Sequence, residues 1–491
     1  MVALTAAYGV AFGFNAYGTF HDAEDLGDYA YNMNYYSNYG VPTALQYLVF
    51  GNHMAPDQVA LLLVYASLPS PLTLIVVQSL VLSLGGLASF FAARRALGSA
   101  SLSLLFCFAF LANPGMHGIL FFDYHAEFLI LPLYALALYF YIGTDRLAFT
   151  ISFLLLLGTI ASATAIALAF SMGMAVYELT CNGDQNLRRR RLWLCKSAFA
   201  MSILALILYN ALYICLAAAY ASNPSGVPLA LQVKPEPIAP LNYIFTSGAG
   251  GASAGPTLPT AGLPFLVYGL MVAFLGFGFG IMYALPTAVV AALPWLVEST
   301  MGGRSIEFLL IGQQYFGFVL GGTLAAAMLG ARRMLEARHL LWVRVSRVQM
   351  RALFVSSMLT ATVVILAASP FYIFSQNLSS MGQSFLFEQN ASLRATAAQI
   401  DSLISLIPPN ASLMVDYPLV PHVTQRRYLE FPPFYPVSFR PQYILLDFNS
   451  SIMAPYDAAA ENGMFRSYIA NEGYRLYAVN GSATLYASTG G

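Results

Sequence analysis

The residues from Leu102 to Tyr141 are almost wholly apolar, interrupted near their middle by Phe121–Phe128, which reads FFDYHAEF. A run of about 40 residues at roughly 1.5 Å rise each is long enough for two membrane crossings. In hydrocarbon the backbone polar groups must be paired within the segment, so repeated apolar runs near 20 residues select helices. An acid at the bilayer centre costs about 2.5–3.5 kcal/mol on insertion scales. Asp123, His125 and Glu127 therefore belong to a water-facing turn between two crossings. The same pattern recurs along the 491-residue chain, which is 58% hydrophobic and only 9% charged. This composition points to an all-α polytopic membrane protein whose first partner is the lipid bilayer. A net charge of zero gives no reason to expect a nucleic-acid partner. The four cysteines, Cys107, Cys181, Cys195 and Cys215, have neither a disulfide framework nor a zinc-site spacing.

Candidate crossings fall at about 2–18, 71–93, 101–120, 127–143, 147–161, 164–179, 197–220, 263–283, 286–300, 311–330 and 352–374, which makes about eleven. Of 22 Lys and Arg, fourteen cluster at Arg94–Arg95, Arg146, Arg188–Arg191 with Lys196, and Arg332–Arg351. The positive-inside rule assigns those loops to the cytoplasm. The N-terminus is then cytoplasmic and the region after residue 375 extracellular. Asp57–Leu68 is too short to span and reads as interfacial or re-entrant. Five N-x-S/T sequons, at Asn377, Asn390, Asn410, Asn449 and Asn480, all follow the last crossing, as expected of a glycoprotein with an external C-terminal part.

That C-terminal part has the patterning of a small α/β domain. Ala397–Ile407 (AAQIDSLISLI) reads as an amphipathic helix stopped by Pro408-Pro409, SLMVD and QYILLDF as buried strands, and YRLYAVNGSATLYAS as a hairpin around Asn480-Gly481. The expected division is a membrane domain over 1–375 and an extracytoplasmic domain over 376–491.

With this topology FFDYHAEF faces outside, together with the polar stretch His21–Gly40, which holds Asp22, Glu24, Asp25, Asp28 and five tyrosines, and with His53 and Asp57. A solvated rim with tyrosine interface anchors accounts for such a composition. Acids interleaved with histidines equally suit a divalent cation, or a base that takes a proton from a hydroxyl. The residues alone leave these open.

At these segments the chain resembles domain-of-unknown-function family 2079 (DUF2079), a family placed with the C-type (GT-C) superfamily of membrane glycosyltransferases. EDLGDYAYNMNYYSNYG is similar to the family's opening after the first crossing, GNHMAPDQVALLLVYASLPSPLTLIVVQS to its H-F-S-P segment and the helix ending in Gln, and FFDYHAEFLILP to its F-D-F-H-x-E motif. GQQYFGFVLGG resembles a late Q-Y helix start, and LISLIPPNASLMVDYPLVPHVTQRRYLEFP its external C-terminal module. The departures are Ser162-Ala163-Thr164 where many members carry Lys-Glu-Asp, and Glu24 where an aromatic is usual.

The resemblance implies a GT-C-like fold and transfer of a sugar from a polyprenyl-phosphate-linked donor to an acceptor at the outer membrane face. By position it makes Asp25 the general base, or a metal ligand. His53, Asp123, His125 and Glu127 would line the same cavity, with Arg304 or Lys234 supplying positive charge to the donor phosphate. Asp25, His53 and Asp123 are the implied holders of a divalent cation, Mg or Mn. Two other readings stand beside this one: a non-catalytic envelope-binding protein, favoured by the missing Lys-Glu-Asp, and a transporter or flippase of a lipid-linked or small polar substrate. Arginine-rich, lysine-poor usage fits an archaeal cell surface.

Overall fold

The computed structural model describes residues 1–20, 24–40, 44–45, 48–49, 54–121, 124–181, 184–222, 262–301, 316–337, 339–340, 343–374, 391–431, 440–447 and 458–489. Helices dominate: α1 Val2–Tyr17, α2 Glu24–Tyr39, α3 Gln58–Ser67, α4 Pro71–Leu97, α5 Ala100–Leu111, α6 Pro114–Phe121, α7 Ile130–Gly143, α8 Arg146–Gly158, α9 Ala163–Thr180 and α10 Gln185–Ser222. They continue with α11 Gly262–Leu275, α12 Leu285–Met301, α13 Gly317–Ala337, α14 Arg347–Phe374, α15 Ala391–Ser405, α16 Val420–Val423 and α17 Ala458–Asn471. Among the described residues seven helical segments are long and apolar enough to cross a membrane, or eight if the bent pair α5–α6 is one span. The chain is thus a multi-pass membrane protein.

Several of the expected crossings change shape. The run at 101–120 bends by 48° between α5 and α6, because Pro114 cannot continue the hydrogen-bond ladder; Asn113 Oδ1 caps the restart by accepting from Gly115 N at 2.9 Å. The expected 263–283 ends early at Leu275, and the next span starts at Phe279 rather than 286. Gly278 lies between them at φ +80, where a Cβ would meet Met358, so only glycine makes that turn. The run Arg188–Arg191 is the start of α10 rather than a loop. Val2–Tyr17, Gln58–Ser67 and Arg146–Gly158 are apolar helices shorter than a full span.

The basic residues meet at one end of the bundle. Arg95 of α4 lies over Tyr139 of α7 at 4.7 Å, and Arg146 of α8 over Trp193 of α10 at 4.5 Å. Arg191 of α10 donates to Ile142 O at 2.9 Å, and Arg333 of α13 to Thr180 O at 3.0 Å. Buried beside them, Glu178 accepts from Tyr141 at 2.9 Å and pairs with Arg191 at 3.5 Å. Helix α13 runs through the middle of the bundle, 83% buried. Its glycines let neighbours close in: a Cβ on Gly321 would strike Tyr134, one on Gly322 would strike Ala291, and one on Gly330 would strike Gly280 O.

A two-residue ribbon, β1 His339–Leu340 with β2 Val343–Arg344, precedes α14. The C-terminal residues build a five-stranded sheet from β3 Leu413–Val415, β4 Leu429–Glu430, β5 Tyr443–Asp447, β6 Tyr474–Asn480 and β7 Ala483–Ser488, in the order β4-β3-β5-β7-β6. The first three are parallel and the last two form the antiparallel hairpin, turning at Gly481 with φ +63. Alternate residues face opposite ways. Leu413, Val415 and Leu445 pack on Ala397, Ile400 and Leu403 of α15, while Met414, Ile444 and Leu446 pack with Phe465 of α17. A helix on each face explains why these strands read as continuous apolar runs.

Candidate functional site

At the end of the bundle opposite the arginines, α2 and the segment between α6 and α7 bring Asp25, His125 and Glu127 together. Asp25 stands in the first turn of α2. His125 has extended backbone, φ −146 and ψ 144, and precedes a 3-10 turn, Ala126–Leu129, that leads into α7. The His125 Nε2 lies 3.5 Å from Asp25 Oδ2, and its Nδ1 contacts Glu127 Oε2. The imidazole and Glu127 are buried at 2% and 0% exposure, whereas the Asp25 side chain is 26% exposed. One open carboxylate is therefore backed by a buried imidazole and a buried acid.

Further side chains fix the ring. Gln78 of α4 donates from Nε2 to Ile119 O at 3.2 Å and accepts at Oε1 from His125 N at 3.2 Å, tying both ends of the 119–125 segment to one helix. Tyr124 donates to Gln58 Oε1 at 2.7 Å. Tyr29 of α2 packs edge-on against Tyr124 and His125, at 5.3 and 6.1 Å between centroids. Sequence reasoning did not assign Gln78, Gln58 or Tyr29 a role. Gln78 had a signal, an amide inside an otherwise apolar crossing, where a polar group needs a partner.

Burial pushes His125 down from its ordinary 6.5 to about 3; a carboxyl group at each ring nitrogen acts in the opposite sense. A neutral imidazole donates from one nitrogen and accepts at the other. In the structure Nε2 faces the Asp25 carboxylate and Nδ1 the buried Glu127.

His53, Asp123 and Arg304 lie outside the described residues, as does Lys234. Among the described residues no three His, Cys, Asp or Glu side chains converge to hold a metal ion, and of the three implied ligands only Asp25 is described. Asp28, on the same helix, is buried and accepts from Asn32 Nδ2 at 3.0 Å. Asp57 precedes α3, with its backbone N bonded to Gly158 O at 3.1 Å at the end of α8 and its carboxylate packed on Gly158. Burial pushes its carboxyl up to about 7. The α2 tyrosines form a ladder, Tyr31 to Tyr35 to Tyr39, with centroids 5.5 and 5.3 Å apart.

Comparison with known proteins gives three findings. No curated protein matches the chain. The solved structure of ArnT from Cupriavidus metallidurans in the apo state aligns with 98% of this chain and 97% of that chain, at 14% identity and a TM-score of 0.45. The family described as predicted membrane protein, domain of unknown function 2079, matches residues 27–476. That match runs from Gly27 within α2 to Leu476 within β6; it begins two residues after Asp25 and takes in the whole His125–Glu127 turn, and the chain belongs to this family.

Proposed function

We propose that the chain is a membrane glycosyltransferase that transfers a sugar from a polyprenyl-phosphate donor to an acceptor at the outer membrane face. The observation that carries this reading is the half-open Asp25 carboxylate, 3.5 Å from an imidazole that is itself held by a buried acid. Asp25 takes the proton from the acceptor hydroxyl as that oxygen attacks the anomeric carbon and the polyprenyl phosphate leaves. One direct displacement inverts the anomeric centre. The Nε2–H of His125 orients the carboxylate and keeps it ionised until the proton arrives, which is the role of a fixed partner behind a general base. His125 and Glu127 act behind Asp25, since neither has surface to offer a substrate.

In this reading residues 1–375 form the membrane domain and 376–491 an extracytoplasmic domain, with eleven crossings and a cytoplasmic N-terminus. The gathering of Arg95, Arg146, Arg191 and Arg333 at the end opposite Asp25 supports that orientation. His53, Asp123 and Arg304 complete the donor site, and Asp25, His53 and Asp123 are the residues that would hold Mg or Mn.

The test is sugar transfer, or donor hydrolysis, by the purified protein in lipid, with labelled polyprenyl-phosphate sugars. Asp25→Asn is expected to lower turnover by about 10²–10⁴ with the fold retained. Donor binding without turnover in the unmodified protein would favour the envelope-binding reading, which Ser162-Ala163-Thr164 in place of the family's charged triad supports.

A further inference from the structure

Asp25 sits in the first turn of α2, where a helix is least constrained by its own hydrogen bonds. On the bundle side α2 is held by Leu26, Tyr29, Ala30 and Met33. Its other side is held by residues 420–428 from the C-terminal part of the chain, nearly 400 positions away. A Cβ on Gly27 would come within 2.8 Å of Val420 Cβ and 2.9 Å of Pro421 Cδ. Glycine at this position is what allows the two segments to touch. Asn34 Nδ2 donates to Thr424 O at 2.9 Å, and Tyr31 OH to Arg427 O at 3.4 Å. Gln425 Nε2 donates to Pro69 O at 2.9 Å, just before the cap of α4, the helix that carries Gln78.

The turn between α1 and α2 is held by the same segment. The His422 ring stacks on Tyr17 at 4.3 Å and 26°, and on Phe20 at 3.6 Å and 20°. Phe20 has φ +56, a left-handed conformation that non-glycine residues rarely adopt. Such strain persists only where surrounding structure over-determines it. Here the surrounding structure is the imidazole face. Phe20 is the last described residue before α2, and the segment that stacks on it is the one that Gly27 of α2 touches.

We propose that residues 420–428 are the positioning element of the site, with His422 as its central residue: they clamp the α1–α2 turn and the outer side of α2 so that the Asp25 carboxylate meets His125. Neither His422 nor Gly27 touches substrate; both act through Asp25. The effect on turnover rests on the glycosyltransferase reading, but the effect on geometry does not. A displacement of the carboxylate by about 1 Å is enough to lower turnover on the order of 10²-fold.

The experiment places Asp25→Cys and His125→Cys in the full chain in membranes. Bridging of the two thiols by a short bis-methanethiosulfonate, which restores the reach lost when Asp and His are shortened to Cys, is followed by mass spectrometry, which separates it from the four native cysteines. His422→Ala is expected to slow this cross-link about tenfold, as is Gly27→Ala, while His422→Phe, which keeps a flat ring between Tyr17 and Phe20, stays within about twofold. An unchanged rate in His422→Ala, or equal losses in Ala and Phe, overturns the proposal. If His422→Ala does not accumulate folded, Gly27→Ala decides by the same readout. On an otherwise unmodified chain that transfers sugar, His422→Ala lowers kcat with KM nearly constant. A chain that transfers none leaves the cross-link result standing and overturns only the functional reading.

Discussion

Changing Glu127 to Gln keeps the size and shape of the side chain and removes only its capacity to ionise. Glu127 is fully buried against His125 Nδ1, while Asp25, at Nε2, is 26% exposed. If the negative charge resides on the open acid, Glu127 is the protonated partner and its hydroxyl donates to Nδ1. A glutamine amide donates there equally well, so Glu127→Gln is expected to change stability by less than about 1 kcal/mol. An ionised Glu127 against an imidazolium predicts otherwise. The amide would then strand a buried positive charge, at a cost of roughly 3–5 kcal/mol. A gap of at least about 2 kcal/mol is more than tenfold in the unfolding equilibrium, well within reach of denaturant unfolding in micelles. Infrared spectroscopy gives the second reading: the carbonyl band of a protonated carboxylic acid should be present in the unmodified chain and absent in Glu127→Gln. A loss of 3 kcal/mol or more with no band removed refutes Glu127 as the protonated partner.

Asp57 gives a pH signature. Its carboxyl is raised from 3.8 to about 7 by burial, so the folded state holds a proton that the unfolded state has released between those values. The stability this adds is full below about pH 4 and is lost as pH rises through 7, and Asp57→Asn at pH 8 should exceed the unmodified chain by about 2–4 kcal/mol; a pH-independent difference would count against the burial of this acid. Made in a cell that N-glycosylates surface proteins, the chain should carry sugar at exposed Asn410 and little at Asn480, whose amide donates to Ser402 Oγ at 2.8 Å; peptide mapping with equal occupancy at both sites would contradict the hairpin's docking on α15. Arg191→Ala should destabilise by roughly 3–5 kcal/mol by leaving Glu178 buried without its cation, and Arg191→Ala with Glu178→Ala by less than the sum of the single changes; strict additivity in a double-mutant cycle would show that the pair is not coupled.

The sequence made some of this legible for definite reasons. Charge is so scarce that acids inside FFDYHAEF had to mark a break between helices, and the structure has a turn at Tyr124–Leu129, but with His125 and Glu127 buried by protein where a water-facing turn was expected. The C-terminal strands announced themselves through apolar runs bounded by Pro and by Asn-Gly. Pairing across distance was hidden. Asp25 and His125 are 100 positions apart, and no local pattern says that a helix after the first crossing folds onto the turn between α6 and α7. Gly27 and Val420 gave no hint of contact, because a glycine required by a neighbour looks like any other glycine. The bends went unread where a short apolar stretch could be one helix or two, as at Asn113-Pro114 and at Gly276–Gly278. His53, Asp123 and Arg304 fall outside the described residues.

Helix α13 has a consequence for how the chain is made. It is the least apolar of the seven candidate spans and the most enclosed by protein. Its glycines are shaped for Tyr134, Ala291 and the Gly280 backbone rather than for lipid. As it leaves the ribosome, such a helix partitions weakly into bilayer by itself and gains its stability from close packing against α7 and α12. Those helices are synthesised first. Entry of α13 is therefore expected to wait on a preformed groove between earlier helices, so that substitutions enlarging Ala291 or Gly321 would act during biogenesis, leaving a chain whose later segments are stalled at the translocon.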